Sequence, residues 1–352
     1  MVTRLRAALS AVVVVLGVTV AVAPTASAHE PRTLGWRMLD TGTTEHFRGL
    51  APVSRKVAWL GGYNGLVLRT TDGGRTWDDV SPAGAEALQF RDVSAFDARH
   101  AVAMAAGSGT DSRLYATRDG GKSWTLAYTN TNDQAFFDCM AFFDRRHGLV
   151  MSDPVDGRFR ILSTRDGGQS WTVLPDAGMP DALPGEFGFA ASGECLTTSG
   201  DRAWFGAGGA DTARVFGSKD GGLTWSVETT PLVSGPSAGV FGLAVRDRLR
   251  VAVGGDFAAP DAATDVAARS TRAGVWRTAT TQPSGYRSGI TFLPRGDDDL
   301  VAVGLTGSDV SWDGGRTWTT FDTGQFDTVA CASDGACWAS GDLGRVAVLT
   351  GR

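Results

Sequence analysis

The chain has 352 residues and a formal charge of −5 at pH 7. A mildly acidic chain is a poor match for nonspecific nucleic-acid binding, so we expect no nucleic-acid partner. Its 47 glycines, together with the lack of a long amphipathic helix pattern, indicate an all-β protein.

Residues 1–28 have the pattern of a secretory signal peptide. An arginine-containing start is followed by the uncharged apolar stretch 7–23, and Ala26-Ser27-Ala28 fits a cleavage site. We therefore expect cleavage after Ala28, one mature domain at residues 29–352, and an extracellular or periplasmic location. An uncleaved anchor is the alternative, but the apolar stretch is shorter than the ~20 residues that usually span a bilayer. We expect no membrane span in the mature chain.

An eight-residue motif, Thr/Ser-x-Asp-Gly-Gly-x-Thr/Ser-Trp with small variations, occurs five times between residues 70 and 318. Each copy follows an alternating apolar stretch, so we interpret it as the turn of a β-hairpin and call it the repeat turn. Its Asp can accept hydrogen bonds from the N–H groups that follow, its glycines can take positive φ, and its indole can fill the space between stacked sheets. We predict a structural role for ten of its residues: Asp72, Trp77, Asp119, Trp124, Asp166, Trp171, Asp220, Trp225, Asp313 and Trp318.

The spacing of these tryptophans predicts the architecture. With a degenerate sixth copy at Trp276, successive tryptophans are 42 to 54 residues apart, as expected for four-stranded propeller blades. The residues after Trp318 complete one more blade only if the amino-terminal segment joins them. The sequence therefore predicts an all-β, seven-bladed β-propeller in which residues 34–39 complete the last blade and close the ring.

The strands of a blade are named A to D from the channel outward. For the first repeat we predict them at residues 47–53, 57–61, 66–70 and 76–80. For the last repeat we predict strands A to C at residues 326–332, 336–340 and 345–349, with residues 34–39 as strand D.

The four cysteines fit an exported chain, in which disulfides persist. Cys331 and Cys337 flank a short turn of the last blade, so we predict a disulfide there. A bridge between Cys139 and Cys195 is left open. The spacing does not fit a zinc site, and we expect no metal and no cofactor; copper binding by His29 at a new amino terminus is left open.

Candidate binding residues come from a pattern at the start of several A strands, where an aromatic residue precedes a charged one. In a propeller these strands line the central channel. We therefore expect six residues near the channel mouth: Arg48, Arg91, Arg287, Asp138, Asp327 and Tyr286. Two interpretations stay open, namely that the charges pair across the channel or that the arginines bind an anion.

Three loop carboxylates, Asp153, Asp156 and Glu186, are the catalytic candidates if the protein is an enzyme. Paired carboxylates can hydrolyse a glycosidic bond. A sialidase would also need an arginine triad and a tyrosine nucleophile. Tyr286 and Arg287 are adjacent on a strand and would point in opposite directions, which argues against that arrangement.

The repeat turn resembles the Asp-box of bacterial neuraminidase repeats. The complete unit resembles the photosystem II stability and assembly factor family and its bacterial relatives over nearly the whole mature chain. The resemblance implies a seven-bladed propeller that works as a binding scaffold. We therefore expect a secreted, monomeric, non-enzymatic protein that binds a protein or glycan partner through its loop rim; a sialidase-like glycoside hydrolase is the alternative.

Overall fold

The computed structural model describes residue 2 and residues 33–272, 274–294 and 296–351. Apart from Val2, the predicted signal peptide, its cleavage site after Ala28 and the candidate copper ligand His29 lie outside the described residues. Among the described residues, none belongs to a helix with the length and apolar character needed to cross a membrane.

The described residues form 28 strands in seven antiparallel four-stranded sheets, which confirms the predicted propeller. The first strand, β1 (Gly35–Leu39), belongs to the last blade. Blade 1 contains β2 (Phe47–Pro52), β3 (Ala58–Gly62), β4 (Val67–Thr70) and β5 (Asp78–Asp79), and blade 2 contains β6 (Phe90–Ala95), β7 (Ala101–Ala105), β8 (Arg113–Thr117) and β9 (Thr125–Thr129).

The next three blades follow in chain order. Blade 3 contains β10 (Phe137–Phe142), β11 (Gly148–Val155), β12 (Arg158–Thr164) and β13 (Thr172–Val173). Blade 4 contains β14 (Leu196–Ser199), β15 (Arg202–Ala207), β16 (Arg214–Ser218) and β17 (Trp225–Thr229). Blade 5 contains β18 (Ala238–Arg246), β19 (Leu249–Asp256), β20 (Ala267–Arg272) and β21 (Val275–Thr278).

The last two blades close the ring. Blade 6 contains β22 (Gly289–Phe292), β23 (Leu300–Gly304), β24 (Gly307–Ser311) and β25 (Thr319–Asp322). Blade 7 contains β26 (Thr328–Cys331), β27 (Cys337–Ser340) and β28 (Val346–Thr350), and β1 is its outermost strand. The pairing of β1 with β28 runs from Gly35 opposite Thr350 to Leu39 opposite Val346, so the amino-terminal strand closes the ring as predicted.

The hydrophobic core lies between the blades. Within the described part of the chain, the buried apolar residues form one cluster at each of the seven contacts between neighbouring blades, and an eighth cluster is formed around Phe241. The repeat-turn tryptophans join these clusters: Trp124 of blade 2 meets Trp59 of blade 1 edge to face, with ring centroids 6.2 Å apart. Because each blade buries its faces against its neighbours, the ring is stabilised only as a closed whole.

The repeat turns share one hydrogen-bond pattern. In the first copy, the Thr70 hydroxyl donates to Asp72 Oδ1 (2.9 Å) and accepts from the Gly74 N–H (2.9 Å), while Asp72 also accepts from the N–H and hydroxyl of Thr76 at 3.0 and 2.8 Å. The donated bonds from Thr76 lower the pKa of Asp72 to about 2. The corresponding bonds from Ser123 lower the pKa of Asp119 to about 2. Equivalent bonds recur at Asp166, Asp220 and Asp313.

All four cysteines form disulfides, which indicates an oxidising compartment. Cys331 and Cys337 are bonded at the β26–β27 turn, as predicted. Cys139 and Cys195 are also bonded, so the question left open by the sequence is answered. Cys195 immediately precedes β14, the short A strand of blade 4, and the disulfide fixes the segment before it to blade 3.

Candidate functional site

Residues 186–195, which we call the channel segment, fill the central channel. Glu194 lies at the centre of its contacts: its carboxylate accepts from the N–H groups of Ile290 (2.5 Å) and Val329 (3.2 Å), and its carbonyl accepts from the Leu243 N–H (3.0 Å). Gly193 packs so closely on Asp92 that a Cβ there would lie 2.6 Å from the carboxyl carbon. The disulfide of Cys195 adds a contact with blade 3, and the Ala190 carbonyl adds contacts with Arg48 of blade 1 and Arg91 of blade 2. Together these contacts connect the segment to the A strands of all six other blades.

On one side of the channel segment lies a cavity of about 360 Å³, which we call the mouth cavity. It brings together charged side chains from four blades. Its charged lining residues are Arg48, Arg91, Asp138, Asp153 and Asp327.

Connected aromatic rings form one wall of the mouth cavity. Phe189 of the channel segment stacks on Phe241 with ring centroids 3.8 Å apart, and Tyr286 meets Phe241 edge to face at 4.8 Å. Phe187 and Phe257 extend the wall, and Phe257 is 46% exposed at its outer edge. Tyr286 is buried there, and burial followed by the charge of Asp327 raises its pKa, so it remains a neutral phenol.

The guanidinium groups of Arg48 and Arg91 face the cavity together. Both donate to the Ala190 carbonyl, at 3.3 and 3.5 Å, and both lie over the ring of Tyr63, at 5.8 and 5.7 Å from its centroid. Burial and then the charge of Arg48 lower the pKa of Arg91. Arg91 is held by Gln89 Oε1 at 2.7 and 3.1 Å. The pair is therefore oriented by neutral acceptors and keeps positive charge directed at the cavity.

Asp327 has partners of its own at the cavity edge. Its Oδ2 lies 2.7 Å from His46 Nε2, and its Oδ1 lies 3.9 Å from Arg48 Nε. Arg48 Nε is buried, and no hydrogen-bond acceptor from the described residues reaches it. Arg48 and Asp327 thus form the kind of charge pair that one interpretation of the sequence predicts, but the atoms are too far apart for a hydrogen bond.

Asp138 and Asp153 belong to the adjacent strands β10 and β11, and both line the mouth cavity. Burial and the neighbouring charge of Asp153 raise the pKa of Asp138 well above its ordinary value, against the opposing charge of Arg91. Burial raises the pKa of Asp153 to about 6, although the Gly188 N–H donates to its Oδ1 at 2.8 Å. Asp138 Oδ2 is buried, and within the part of the chain that the structure describes it has no hydrogen-bond partner.

Arg287 does not join the other two arginines. It is fully buried, and it is ion-paired with Asp309 and donates to Ser284 Oγ (2.7 Å) and Thr306 Oγ1 (2.8 Å). The expectation that it lies at the channel mouth therefore needs correction. Tyr286 and Arg287 both precede β22, and the segment presents Tyr286 to the mouth cavity while Asp309 holds the Arg287 side chain away from it.

Of the three candidate carboxylates, the cavity contains only Asp153. Glu186 is buried and bound by the guanidinium of Arg214, with a further hydrogen bond from the Leu183 N–H at 2.9 Å. Asp156 is exposed in the β11–β12 turn, where its φ is +52°. The described residues contain no group of three or more His, Cys, Asp or Glu side chains placed to hold a metal ion.

Sequence reasoning missed the channel segment, which supplies two of the five rings of the aromatic wall, Phe187 and Phe189, and the Ala190 carbonyl that orients both arginines. The stretch Glu186-Phe187-Gly188-Phe189-Ala190-Ala191-Ser192-Gly193 lacks the alternating pattern of the other A strands, and this was the available signal. His46 was also missed, because its role follows from a contact across blades 7 and 1.

A larger groove of about 440 Å³ lies between blades 3 and 4 on the rim of the repeat turns. Its histidine, His147, is paired with Asp144 at 2.7 Å, and Asp220 is engaged in its own turn. These polar groups already have partners, so the mouth cavity is the better candidate for a binding site.

No family model matches the chain, and no curated protein matches it. Solved structures do. YCF48 bound to a D1 peptide is 16% identical with a TM-score of 0.63, and the match covers 92% of this chain and 98% of that one. YCF48 from Cyanidioschyzon merolae is 15% identical with a TM-score of 0.63, covering 89% and 98%. The Neurospora crassa Pan2 WD40 domain is 9% identical with a TM-score of 0.61, covering 92% and 97%. At such identities the similarity concerns the propeller fold.

Proposed function

We propose that this protein is an exported, non-enzymatic propeller that binds a segment of a protein partner in the mouth cavity. The observation that carries the proposal is the arrangement of Arg48 and Arg91, which direct two positive charges at a cavity with an aromatic wall. Paired guanidinium groups suit carboxylates, and aromatic side chains supply contact area, as in the central residues of many protein interfaces.

Two further points support a protein partner. A cavity of about 360 Å³ admits one or two side chains of a bound segment rather than a folded domain. YCF48, a structural neighbour with the same fold, has been solved bound to a D1 peptide. A glycan partner and the sialidase-like alternative have less support, because only Asp153 of the three candidate carboxylates lines the cavity.

The proposal is tested by selecting peptides from a displayed random library on the purified protein and measuring their affinity by calorimetry. We expect the selected peptides to be rich in acidic and apolar residues and to lose roughly tenfold or more in affinity for the Arg48→Ala/Arg91→Ala double variant. Arg118→Ala is the matched control, because Arg118 is exposed in a repeat turn. Peptides that bind the double variant and the control equally well would contradict the proposed site.

Export and glycan binding need separate measurements. Amino-terminal sequencing of protein from culture medium should find His29 as the first residue. A glycan array and a panel of fluorogenic glycosides, tested with the same preparation, should show neither binding nor turnover. Turnover that disappears in Asp153→Asn would replace this proposal with the hydrolase.

A further inference from the structure

We propose that the mouth cavity also binds a protonated amine, at Asp138 and Asp153, beside the acidic group bound by Arg48 and Arg91. The inference rests on the proposed function and adds the chemical class of the bound group. The preferred ligand is a segment that presents a positive and a negative charge close together.

The first observation is an acceptor without a donor. Asp138 is only 1% exposed, and none of the described residues donates a hydrogen bond to its Oδ2. Asp153 lies beside it, is half-buried and lines the cavity. A buried acceptor that lacks a donor costs free energy, and an N–H group brought by a ligand removes that cost. A protonated amine brings three such donors and a compensating charge.

The second observation is the charge balance of the cavity. Arg48 and Arg91 contribute two positive charges, and Asp327, which also contacts His46, contributes one negative charge. Burial raises the pKa values of both Asp138 and Asp153, so the pair carries its full negative charge less readily than two ordinary aspartates do. The cavity therefore contains charges of both signs, and among the described residues its one internal ion pair is the loose contact between Arg48 and Asp327. A ligand of one sign would leave the opposite set uncompensated, whereas a ligand with both signs compensates both.

The third observation is the aromatic wall that lines the same cavity. The stacked rings of Phe189 and Phe241, continued by Tyr286, offer both faces and edges to a ligand. The alkyl stem of an amine packs on such a surface while its head reaches a carboxylate, and the ring faces attract a cation. A bare acid could use the apolar surface but not the attraction of the ring faces for a cation.

The chemistry has two sources, a partner protein that carries a lysine or its amino terminus next to an acidic residue, and a free amino acid. Both present an amine and a carboxylate within one small ligand. A cavity of about 360 Å³ is large enough for either.

The first experiment needs no variant. Binding of ε-aminocaproate, which has both groups, is compared by calorimetry with binding of hexylamine and hexanoate, which have one each on a chain of the same length. We expect ε-aminocaproate to bind roughly tenfold or more tightly than either single-ended probe. Binding no tighter than that of hexanoate would overturn the inference.

The second experiment removes the acidic half of the site. Asp138→Asn and Asp153→Asn keep the shape of the side chains and should weaken hexylamine binding roughly tenfold, with hexanoate binding unchanged or tighter. Asp156→Asn is the matched control, because Asp156 is an exposed aspartate three residues beyond Asp153 and does not line the cavity. Equal losses in all three variants, or none, would contradict an amine site at the pair.

The third experiment separates the sources and keeps this inference distinct from the proposed function. Free L-lysine is compared with the capped peptide acetyl-Gly-Lys-Glu-Gly-amide and with its norleucine counterpart. Binding of the lysine peptide alone supports a partner segment. Binding of free lysine alone supports the amine site but contradicts a protein partner, and equal binding of both peptides contradicts the amine site but leaves the partner proposal standing.

Discussion

The pKa values of the repeat-turn aspartates and those of the mouth-cavity aspartates are shifted in opposite directions from that of an ordinary carboxyl group. Donated hydrogen bonds lower the pKa values of Asp72 and Asp119 to about 2, whereas burial raises the pKa of Asp153 to about 6 and that of Asp138 well above its usual range. Ionisation therefore stabilises the fold at one rim and destabilises it at the other. Ionised aspartates stabilise the repeat turns, whereas the ionised aspartates of the mouth cavity lower the stability of the fold. Residues with strongly shifted pKa values that destabilise the fold are typical of binding sites.

The hydrogen-bond partners of the two rims differ in the same way. Each repeat-turn carboxylate accepts bonds from its own turn, and the pattern recurs in five blades. Among the described residues, the side-chain atoms that are buried without a partner include Asp138 Oδ2 and Arg48 Nε at the mouth and the indole nitrogens of Trp77 and Trp318 in the repeat turns. A buried carboxyl or guanidinium group costs more to leave unpaired than an indole N–H does, so the mouth is the rim that we expect to receive a ligand.

The largest contrast is expected between an aromatic residue of a repeat turn and one of the cavity wall. Trp225→Ala should lower the free energy of unfolding by roughly 3 to 5 kcal/mol, because the indole fills the core between blades 3 and 4. Phe257→Ala, at a site that is 46% exposed, should leave stability nearly unchanged and weaken ligand binding. Urea unfolding and calorimetry measure both effects. A large stability loss in Phe257→Ala would remove the distinction between the two rims.

Loss of the two disulfides should have different effects on stability and on ligand binding. Cys139 and Cys195 are 56 residues apart and hold the channel segment, so replacing both with Ala should cost about 4 kcal/mol and also weaken ligand binding. Cys331 and Cys337 are 6 residues apart in one hairpin, and their replacement should cost about 2 kcal/mol without affecting the ligand. Equal ligand affinity in both double variants would mean that the channel segment keeps its position without the disulfide.

The third prediction concerns the sign of the pH dependence at the cavity. A carboxyl group with a raised folded pKa binds its proton more tightly in the folded state, so stability falls as pH rises from about 4 to about 6 at Asp153. Asp153→Asn should therefore raise the free energy of unfolding at pH 7.5 by about 1 to 3 kcal/mol and change it little at pH 4. Denaturant melts at the two pH values provide the test, and a loss of stability at pH 7.5 would show that the ionised pair is structural.

The fold could be predicted from the sequence because its units repeat. Five copies of the turn and one degenerate copy at Trp276 fix the number and length of the blades, and the missing outer strand of the last blade requires β1. The disulfide between Cys331 and Cys337 followed from one hairpin. Local patterns of this kind act within about 50 residues and are visible without a structure.

The site could be predicted only in part, because it depends on contacts between distant residues. The aromatic and charged pairs at the A strands pointed to Arg48, Arg91 and Asp138, and these three residues line the mouth cavity. The position of Arg287 depends on its ion pair with Asp309, and the position of Glu186 depends on its ion pair with Arg214. The repeat pattern of the sequence does not identify either partner. The channel segment replaces a regular strand, so the periodic pattern that revealed the blades gives no information about it.

The smallest expected effect is at a single repeat turn, and it has the opposite sign to the effect at the cavity. Asp119→Ala removes the acceptor of the Ser123 N–H and hydroxyl bonds, so the melting temperature should fall at neutral pH. Because the folded pKa of Asp119 is lowered to about 2, its contribution is present above about pH 4 and is lost as pH falls through 2. The difference in melting temperature between Asp119→Ala and the unaltered protein should therefore shrink between pH 4 and pH 2, whereas the difference for Asp153→Asn should grow between pH 4 and pH 6. Ligand affinity should be unchanged in Asp119→Ala, since its turn lies on the opposite rim from the cavity. A difference that stays constant over both pH ranges would mean that the carboxylates act by shape rather than by charge, and the electrostatic contrast between the rims would not hold.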